Sequence, residues 1–175
     1  MIWHVVDRGE ERAVRLADRH YNRQKPGTPQ FVPPGSCFVL LAPGALWVTS
    51  WPQAEYVKHR WPGAWVNSLF RREGGDVVAS ELIRQAVAAT RWFYGTPPDL
   101  GMVTFVDAAK VRRKRDPGRC YIKAGFTRAG FTAGGLVALQ MLPADMPDAE
   151  CPAGEQQDVL RSDPRGRASV RRSDG

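Results

Sequence analysis

The sequence predicts one α/β domain in which a mixed sheet is flanked by helices. Short apolar runs rich in β-branched and aromatic residues alternate with segments whose apolar residues recur at helical spacing. The chain has 175 residues, enough for a single core. Apolar residues become sparse after position 142. We therefore expect a domain over 1–142 and a flexible tail over 143–175.

The first half of the domain is predicted to contain four strands and a helix. Apolar runs bounded by glycine and proline indicate the strands. Their expected ranges are 2–6, 37–41, 46–50 and 64–70. The second and third strands are separated by four residues that include a proline and a glycine, which indicates a hairpin. The helix is expected over 9–21, because Ala13, Leu16 and Ala17 fall on one stripe.

The second half is predicted to contain two helices and three strands. The long helix is expected over 80–94, because Leu82, Ile83 and Ala86 begin an apolar face and Gly95 ends the helix. The other expected ranges are strands at 102–106, from 126 onward and at 136–142, with a short helix at 120–124. Since strands and helices interleave, the sheet is expected to be mixed.

The positive charge of the chain lies in the expected domain. Residues 1–142 hold 20 Lys and Arg against 11 Asp and Glu, whereas 143–175 hold 5 against 7. A basic domain attracts nucleic acid or anionic cofactors. No apolar run reaches the about 20 residues that cross a bilayer, and the N-terminus lacks a signal-peptide pattern. Three isolated cysteines fit a reducing compartment, so we expect a cytoplasmic protein without a membrane partner.

Polar residues stand at the ends of several apolar elements. His20 and Tyr21 close the first helix, either as a cap and a core aromatic or as part of a site on the following loop. Asp107 follows the strand at 102–106, where ligands bind in open α/β sheets, but it would serve equally as the N-cap of the next turn. Asn67 lies on an apolar strand face and needs partners there, either backbone groups or an adenine edge.

A cluster of cations follows Asp107. Its members are Lys110, Arg112, Arg113, Lys114, Arg115 and Arg119. A charge run is usually a solvated surface, but this one lies in a short loop beside candidate site residues, which favours contacts with DNA phosphates. The loop at 51–63 interleaves aromatic residues with cations, so Trp61 is a candidate for stacking on an unpaired base. Anchoring of the loop by tryptophan is the alternative.

One local motif resembles the GNAT superfamily of acyltransferases. The run Tyr121-Ile-Lys-Ala-Gly-Phe126 is similar to the Tyr-x-Lys-x-Gly-Phe segment that closes many GNAT domains, and the order of elements matches. The resemblance implies a GNAT-like fold, with Tyr121 as general acid toward a departing thiolate. It also implies a binding loop for acetyl-CoA or another small-molecule donor at Arg71, Gly74, Gly75 and Ser80. In that loop Asp76 stands where the family has a small residue, and its carboxylate would repel a pyrophosphate.

Five dispersed motifs extend the resemblance over the whole predicted domain. They are His20-Tyr21-Asn22-Arg23, then 65–71, 80–83, 104–107 and 117–125. Together they resemble the Mom family of bacteriophage DNA-modification proteins, which have a GNAT-like fold. The resemblance implies an enzyme in the bacterial host cell that converts adenine in double-stranded DNA to N6-carbamoylmethyladenine, shielding phage DNA from restriction. It implies catalytic roles for His20, Tyr21, Asp107 and Tyr121.

The expected chemistry leaves several points open. The family resemblance implies a bound iron, for which His20 and Asp107 are the candidate ligands. The expected substrate contacts are Asn67, Arg23 and Trp61. A carbamoylmethyl group is attached through a methylene carbon, unlike an acetyl group, so the sequence does not identify the donor. Two other functions fit the sequence: a conventional GNAT N-acetyltransferase acting on a small amine or a peptide, and a non-catalytic DNA-binding module.

Overall fold

A mixed sheet forms the centre of the molecule. The computed structural model describes residues 1–111 and 116–155. The elements are β1 (His4–Val5), α1 (Glu11–Asp18), β2 (Ser36–Ala42), β3 (Ala45–Trp51), β4 (Trp65–Arg72), α2 (Ala79–Tyr94), β5 (Met102–Val106), α3 (Arg119–Ala124), β6 (Thr127–Phe131) and β7 (Val137–Met141). Within the described residues the sheet has seven strands in the order β1-β2-β3-β4-β5-β7-β6. The predicted mixed α/β class and element order are confirmed.

The two central strands, β4 and β5, separate toward their C-terminal ends. They pair in parallel, whereas the other neighbouring strands pair antiparallel. The parallel register runs from Trp65 opposite Met102 to Asn67 opposite Thr104. Beyond that point β4 continues to Arg72 and β5 to Val106. A gap therefore opens in the middle of the sheet, at the carboxyl ends of its two parallel strands.

Helices cover the two faces of the sheet. The buried stripe of α1 contains Ala13, Leu16 and Ala17, as predicted, and packs on β2, β3 and β4. The long helix α2 buries a wider face, including Leu82 and Ile83, in the larger core on the other side. In the part of the chain that the structure describes, no helix combines the length and apolar character needed to span a membrane.

The ordered domain extends beyond the boundary expected at residue 142. Met146 is 7% exposed, the Glu150 N–H donates to the Ala88 carbonyl at 3.2 Å, and the Ala153 N–H donates to the Trp3 carbonyl at 2.8 Å. This segment is held largely by backbone hydrogen bonds, which composition does not reveal. The expected start of the tail at 143 is therefore wrong. The remainder of the predicted tail, 156–175, lies outside the described residues.

Candidate functional site

The gap between β4 and β5 opens into a cleft of about 210 Å³. Residues from four separate parts of the chain line it. They include His20 and Tyr21 after α1, Asn67 and Ser68 on β4, Thr104 on β5, and Tyr121 on α3. Of the residues predicted to have catalytic roles, His20, Tyr21 and Tyr121 line this cleft, as does the predicted substrate contact Asn67. Asp107, the remaining residue predicted to be catalytic, lies outside the lining, as described below.

The amide of Asn67 connects β3, β4, β5 and α3. The side chain is 3% exposed, and Nδ2 donates to the carbonyl oxygens of Val48 and Leu69 at 3.0 and 2.9 Å. Oδ1 accepts hydrogen bonds from Tyr121 Oη at 2.6 Å and from Thr104 Oγ1 at 3.2 Å. The amide nitrogen of Asn67 therefore bonds backbone carbonyls, which is one of the two alternatives predicted from the sequence. Both of its N–H groups are engaged within the described chain, which leaves neither for an adenine edge.

Tyr121 is buried with its hydroxyl proton directed at Asn67. Its ring packs against the rings of Phe70 and Phe126, with centroids 6.1 and 5.4 Å away. Burial raises the pKa of Tyr121 well above its usual value, so the hydroxyl stays protonated at neutral pH. Because the hydroxyl donates to Asn67, its lone pairs are left to accept a hydrogen bond from a group in the cleft.

A β-bulge in β4 places Ser68 at the cleft. Val48 pairs with Leu69 and Thr49 pairs with Asn67, so Ser68 is the extra residue. The Asn67 amide spans this bulge by bonding a carbonyl on each strand. Ser68 Oγ is buried and has no hydrogen-bond partner within the described residues. Bulges redirect side chains next to active sites, and this one turns a hydroxyl toward the cleft wall.

His20 and Tyr21 form a stacked pair on the cleft wall. Their ring centroids are 4.4 Å apart, with an interplanar angle of 29°. Burial, together with the charges of Arg71 and Lys110, lowers the pKa of His20 to about 4. His20 Nδ1 accepts a hydrogen bond from the Asn22 N–H at 3.3 Å, which favours the neutral tautomer with its proton on Nε2. At neutral pH His20 is therefore an uncharged hydrogen-bond donor.

Asp107 caps the turn that follows β5. Its Oδ1 accepts hydrogen bonds from the N–H groups of Ala109 and Lys110 at 3.0 and 3.2 Å. This is the N-cap role foreseen as the alternative, and Asp107 is not among the residues that line the cleft. Burial raises the pKa of Tyr21, an effect that the Asp107 backbone opposes and the Asp107 charge reinforces. The turn also brings Lys110 Nζ to 6.0 Å from the Tyr21 ring centroid. Asp107 therefore acts on the cleft through the residues around it.

The residues around His20 do not fit the iron site that the resemblance implies. Over 1–111 and 116–155, no three His, Cys, Asp or Glu side chains are grouped closely enough to hold a metal ion. The Asp107 carboxylate bonds the turn, and Nδ1 of His20 accepts a backbone N–H. A metal bound at Nε2 would require a proton on Nδ1, which faces that N–H. Backbone N–H groups therefore engage both of the side chains that were predicted as iron ligands.

The predicted cofactor loop turns back onto the β2–β3 hairpin. The Glu73 N–H donates to the Gly44 carbonyl at 2.8 Å, and the Arg71 guanidinium bonds the Glu73 carboxylate at 2.9 Å. Arg72 and Ala79 line the cleft in place of the predicted residues. The predicted residues outside the lining are Arg71, Gly74, Gly75 and Ser80. Because these four residues lie outside the cleft lining and the loop packs on the β2–β3 hairpin, this loop does not fit a pyrophosphate of acetyl-CoA at the cleft.

Two predicted substrate residues lie outside the cleft. Trp61 is 6% exposed and its ring packs 5.7 Å from the Phe105 ring, so it anchors its loop, as the alternative proposed. The Arg23 side chain is 3% exposed, pairs with Asp18 at 2.7 Å and donates to the Thr28 carbonyl. It lines a neighbouring pocket of about 220 Å³. Arg23 therefore holds the loop after α1 in place.

The predicted DNA-binding cations are described in part. Lys110 lies beside Tyr21 with about half of its side chain exposed, and Arg119 begins α3 with an exposed side chain. The remaining four, Arg112, Arg113, Lys114 and Arg115, lie outside the described residues. Lys110 pairs with Asp107 at 3.9 Å, and Arg119 adjoins Cys120 of the cleft lining.

Comparison of the chain with protein-family models, with curated proteins and with solved structures finds no match. Two polar residues of the site, Ser68 and Thr104, were not predicted from the sequence. The available signal for Ser68 was the pair Asn67-Ser68, because two successive polar residues interrupt the alternation of a buried strand.

Proposed function

We propose that this chain is a GNAT-like transferase that modifies adenine in double-stranded DNA, with N6-carbamoylmethyladenine as the product. The observation that carries the proposal is the cleft lined jointly by His20, Tyr21 and Tyr121. These residues belong to the first and last of the dispersed motifs and are about 100 positions apart in the chain. A shared binding site explains all three polar residues at once, whereas separate structural roles would require a separate explanation for each residue.

The sheet supports a GNAT-like fold as part of this proposal. A parallel central pair that separates at its carboxyl ends is the arrangement in which GNAT domains hold their substrates. The order of strands and helices agrees with that fold, and α3 carries the Tyr-x-Lys-x-Gly-Phe motif at the closing position. In open α/β sheets ligands bind at the carboxyl ends of the parallel strands, where this cleft lies.

The cleft residues have distinct roles in the proposed reaction. The N6 amine of adenine lies within the base stack, so the enzyme must extrude the base to reach it. Tyr121 Oη accepts a hydrogen bond from that amine and orients it, because the tyrosine proton is held by Asn67. Neutral His20 donates from Nε2 to an oxygen of the donor molecule. Lys110 and Arg119 contact phosphates that flank the extruded base.

Nucleoside mass spectrometry tests the proposal. Plasmid DNA from cells expressing the chain is digested, and its deoxyadenosine is examined for a carbamoylmethyl group. We expect the modified nucleoside with the wild-type chain and its loss with Tyr121→Phe. The matched control is Tyr56→Phe, since Tyr56 is 74% exposed and away from the cleft. Unmodified adenine in every sample would refute the proposal, as would full modification by Tyr121→Phe.

A further inference from the structure

Three arginines form a stripe along α1 that the charge cluster after Asp107 does not include. They are Arg12, Arg15 and Arg19, the last immediately after the helix. Their spacing of three and four residues places them on one side of the helix, beside the buried stripe. Their side chains are 74%, 67% and 54% exposed. We call these three residues the α1 stripe.

The α1 stripe borders a groove of about 480 Å³. The groove lies between α1 and the turn of the β2–β3 hairpin. Arg12, Arg15 and Arg19 form most of its charged rim, which also includes Glu73, and its floor contains the apolar residues Leu16 and Leu41. A cationic rim beside an apolar floor is complementary to a sugar–phosphate backbone, which presents anionic phosphates and less polar sugar faces.

Carboxylates pair with the arginines but leave them available to a phosphate. Arg12 Nε lies 2.8 Å from Glu10 Oε1, Arg15 pairs with Glu11, and Arg19 Nη2 lies 2.6 Å from Glu73 Oε2. Glu73 also pairs with Arg71, so it is shared between two cations. Exposed ion pairs contribute little to stability and are weakened by salt. A phosphate can therefore replace these carboxylates as the partner of an exposed guanidinium.

We propose that the α1 stripe binds the sugar–phosphate backbone of double-stranded DNA next to the cleft. The inference rests on the proposed function, for which it supplies a second contact surface. The stripe ends at Arg19, immediately before His20 on the cleft wall. Arg12 and Arg19 are separated by about 10 Å along the helix axis, which matches about three phosphates of one strand.

Salt-dependent DNA binding tests this surface. The affinity of each variant for a fluorescein-labelled duplex is measured by anisotropy between about 50 and 200 mM salt. Arg12→Gln and Arg15→Gln are each expected to lower the slope of log K against log salt by about 0.9. Each is expected to weaken binding near 0.1 M salt on the order of 10-fold. Glu11→Gln frees Arg15 and is expected to strengthen binding.

The matched control is Arg84→Gln, which removes the same charge from an exposed position on α2, on the opposite face of the sheet. It should retain the wild-type slope. If Arg12→Gln and Arg15→Gln behave like Arg84→Gln while adenine is still modified, the α1 stripe is not a DNA surface and the proposed function stands. If the wild-type chain neither binds DNA nor modifies adenine, both proposals fail.

Discussion

Replacing Asn67 is expected to show how strongly one amide holds the cleft together. Asn67→Ala removes two hydrogen bonds to carbonyl groups and one from the Tyr121 hydroxyl, all buried. The Thr104 hydroxyl keeps its bond to the Asn67 backbone carbonyl at 3.1 Å. At about 1 kcal/mol for each lost bond, the free energy of unfolding should fall by about 3 kcal/mol. Tyr121→Phe removes one bond and leaves Asn67 Oδ1 with Thr104, so it should cost about 1 kcal/mol. The double variant should cost about as much as Asn67→Ala alone, because the shared bond is lost only once.

Urea unfolding followed by far-ultraviolet circular dichroism measures this cycle, provided that the m-value stays constant. Ser50→Ala is a suitable control. Its hydroxyl is buried on β3 but makes one long bond, of 3.5 Å to the Val66 carbonyl. That change should cost less than about 1 kcal/mol. The reasoning is refuted if Asn67→Ala costs no more than Tyr121→Phe, or if the two costs simply add in the double variant.

Two further predictions concern His20 and the C-terminal segment. The pKa of His20 is lowered from 6.5 to about 4, so the unfolded chain binds more protons between these values. The contribution of neutral His20 to the free energy of unfolding is therefore complete above pH 6.5 and is lost as the pH falls toward 4. The pKa shift corresponds to about 3 kcal/mol of unfolding free energy. Because solvent screens a partly exposed ring, we expect about half of this value. Between pH 7 and pH 4, the free energy of unfolding of His20→Gln should therefore fall by about 1.5 kcal/mol less than that of the wild type, as measured by urea unfolding. An equal fall in both proteins would contradict this prediction. Ending the chain after residue 146 removes hydrogen bonds made by Pro147, Glu150 and Ala153, which should lower Tm by roughly 6–12 °C. A chain ending after residue 155 keeps those bonds, and equal Tm values for the two truncations would refute the role of the segment.

The fold was predictable because periodicity reports burial directly. The helix stripe that begins at Ala13 and the apolar face that begins at Leu82 are both buried as expected. The strand expected at 102–106 has those bounds in the structure. Other boundaries shift by a few residues, as with α1, expected over 9–21 and found at Glu11–Asp18. Ends depend on capping and local hydrogen bonds, which a periodic pattern does not encode.

The cleft was predictable only in part, because hydrogen-bond partners depend on register. The sequence placed Asn67 on a buried face, where it needed partners, but the choice between protein and substrate required the bulge at Ser68. A bulge shifts every later residue of its strand relative to the neighbouring strand. Trp61 and Arg23 were candidates by residue type, but Trp61 is buried against Phe105 on β5 and the Arg23 side chain is buried against Asp18 of α1. Residue type alone does not indicate which side of a loop faces the ligand.

The charges around the cleft favour an uncharged acceptor over a protonated amine. Among the described residues that line the cleft there is no aspartate or glutamate, and Arg72 belongs to the lining. Lys110 stands close to Tyr21 and pairs with the Asp107 carboxylate beside the cleft at 3.9 Å, and burial keeps His20 and Tyr121 neutral. A lysine side chain or small alkylamine is cationic at neutral pH, and it would meet Arg72 without a carboxylate in the cleft lining to pair with. The exocyclic amine of adenine is uncharged and its flanking phosphates are anionic, so the same field that repels an alkylamine attracts DNA.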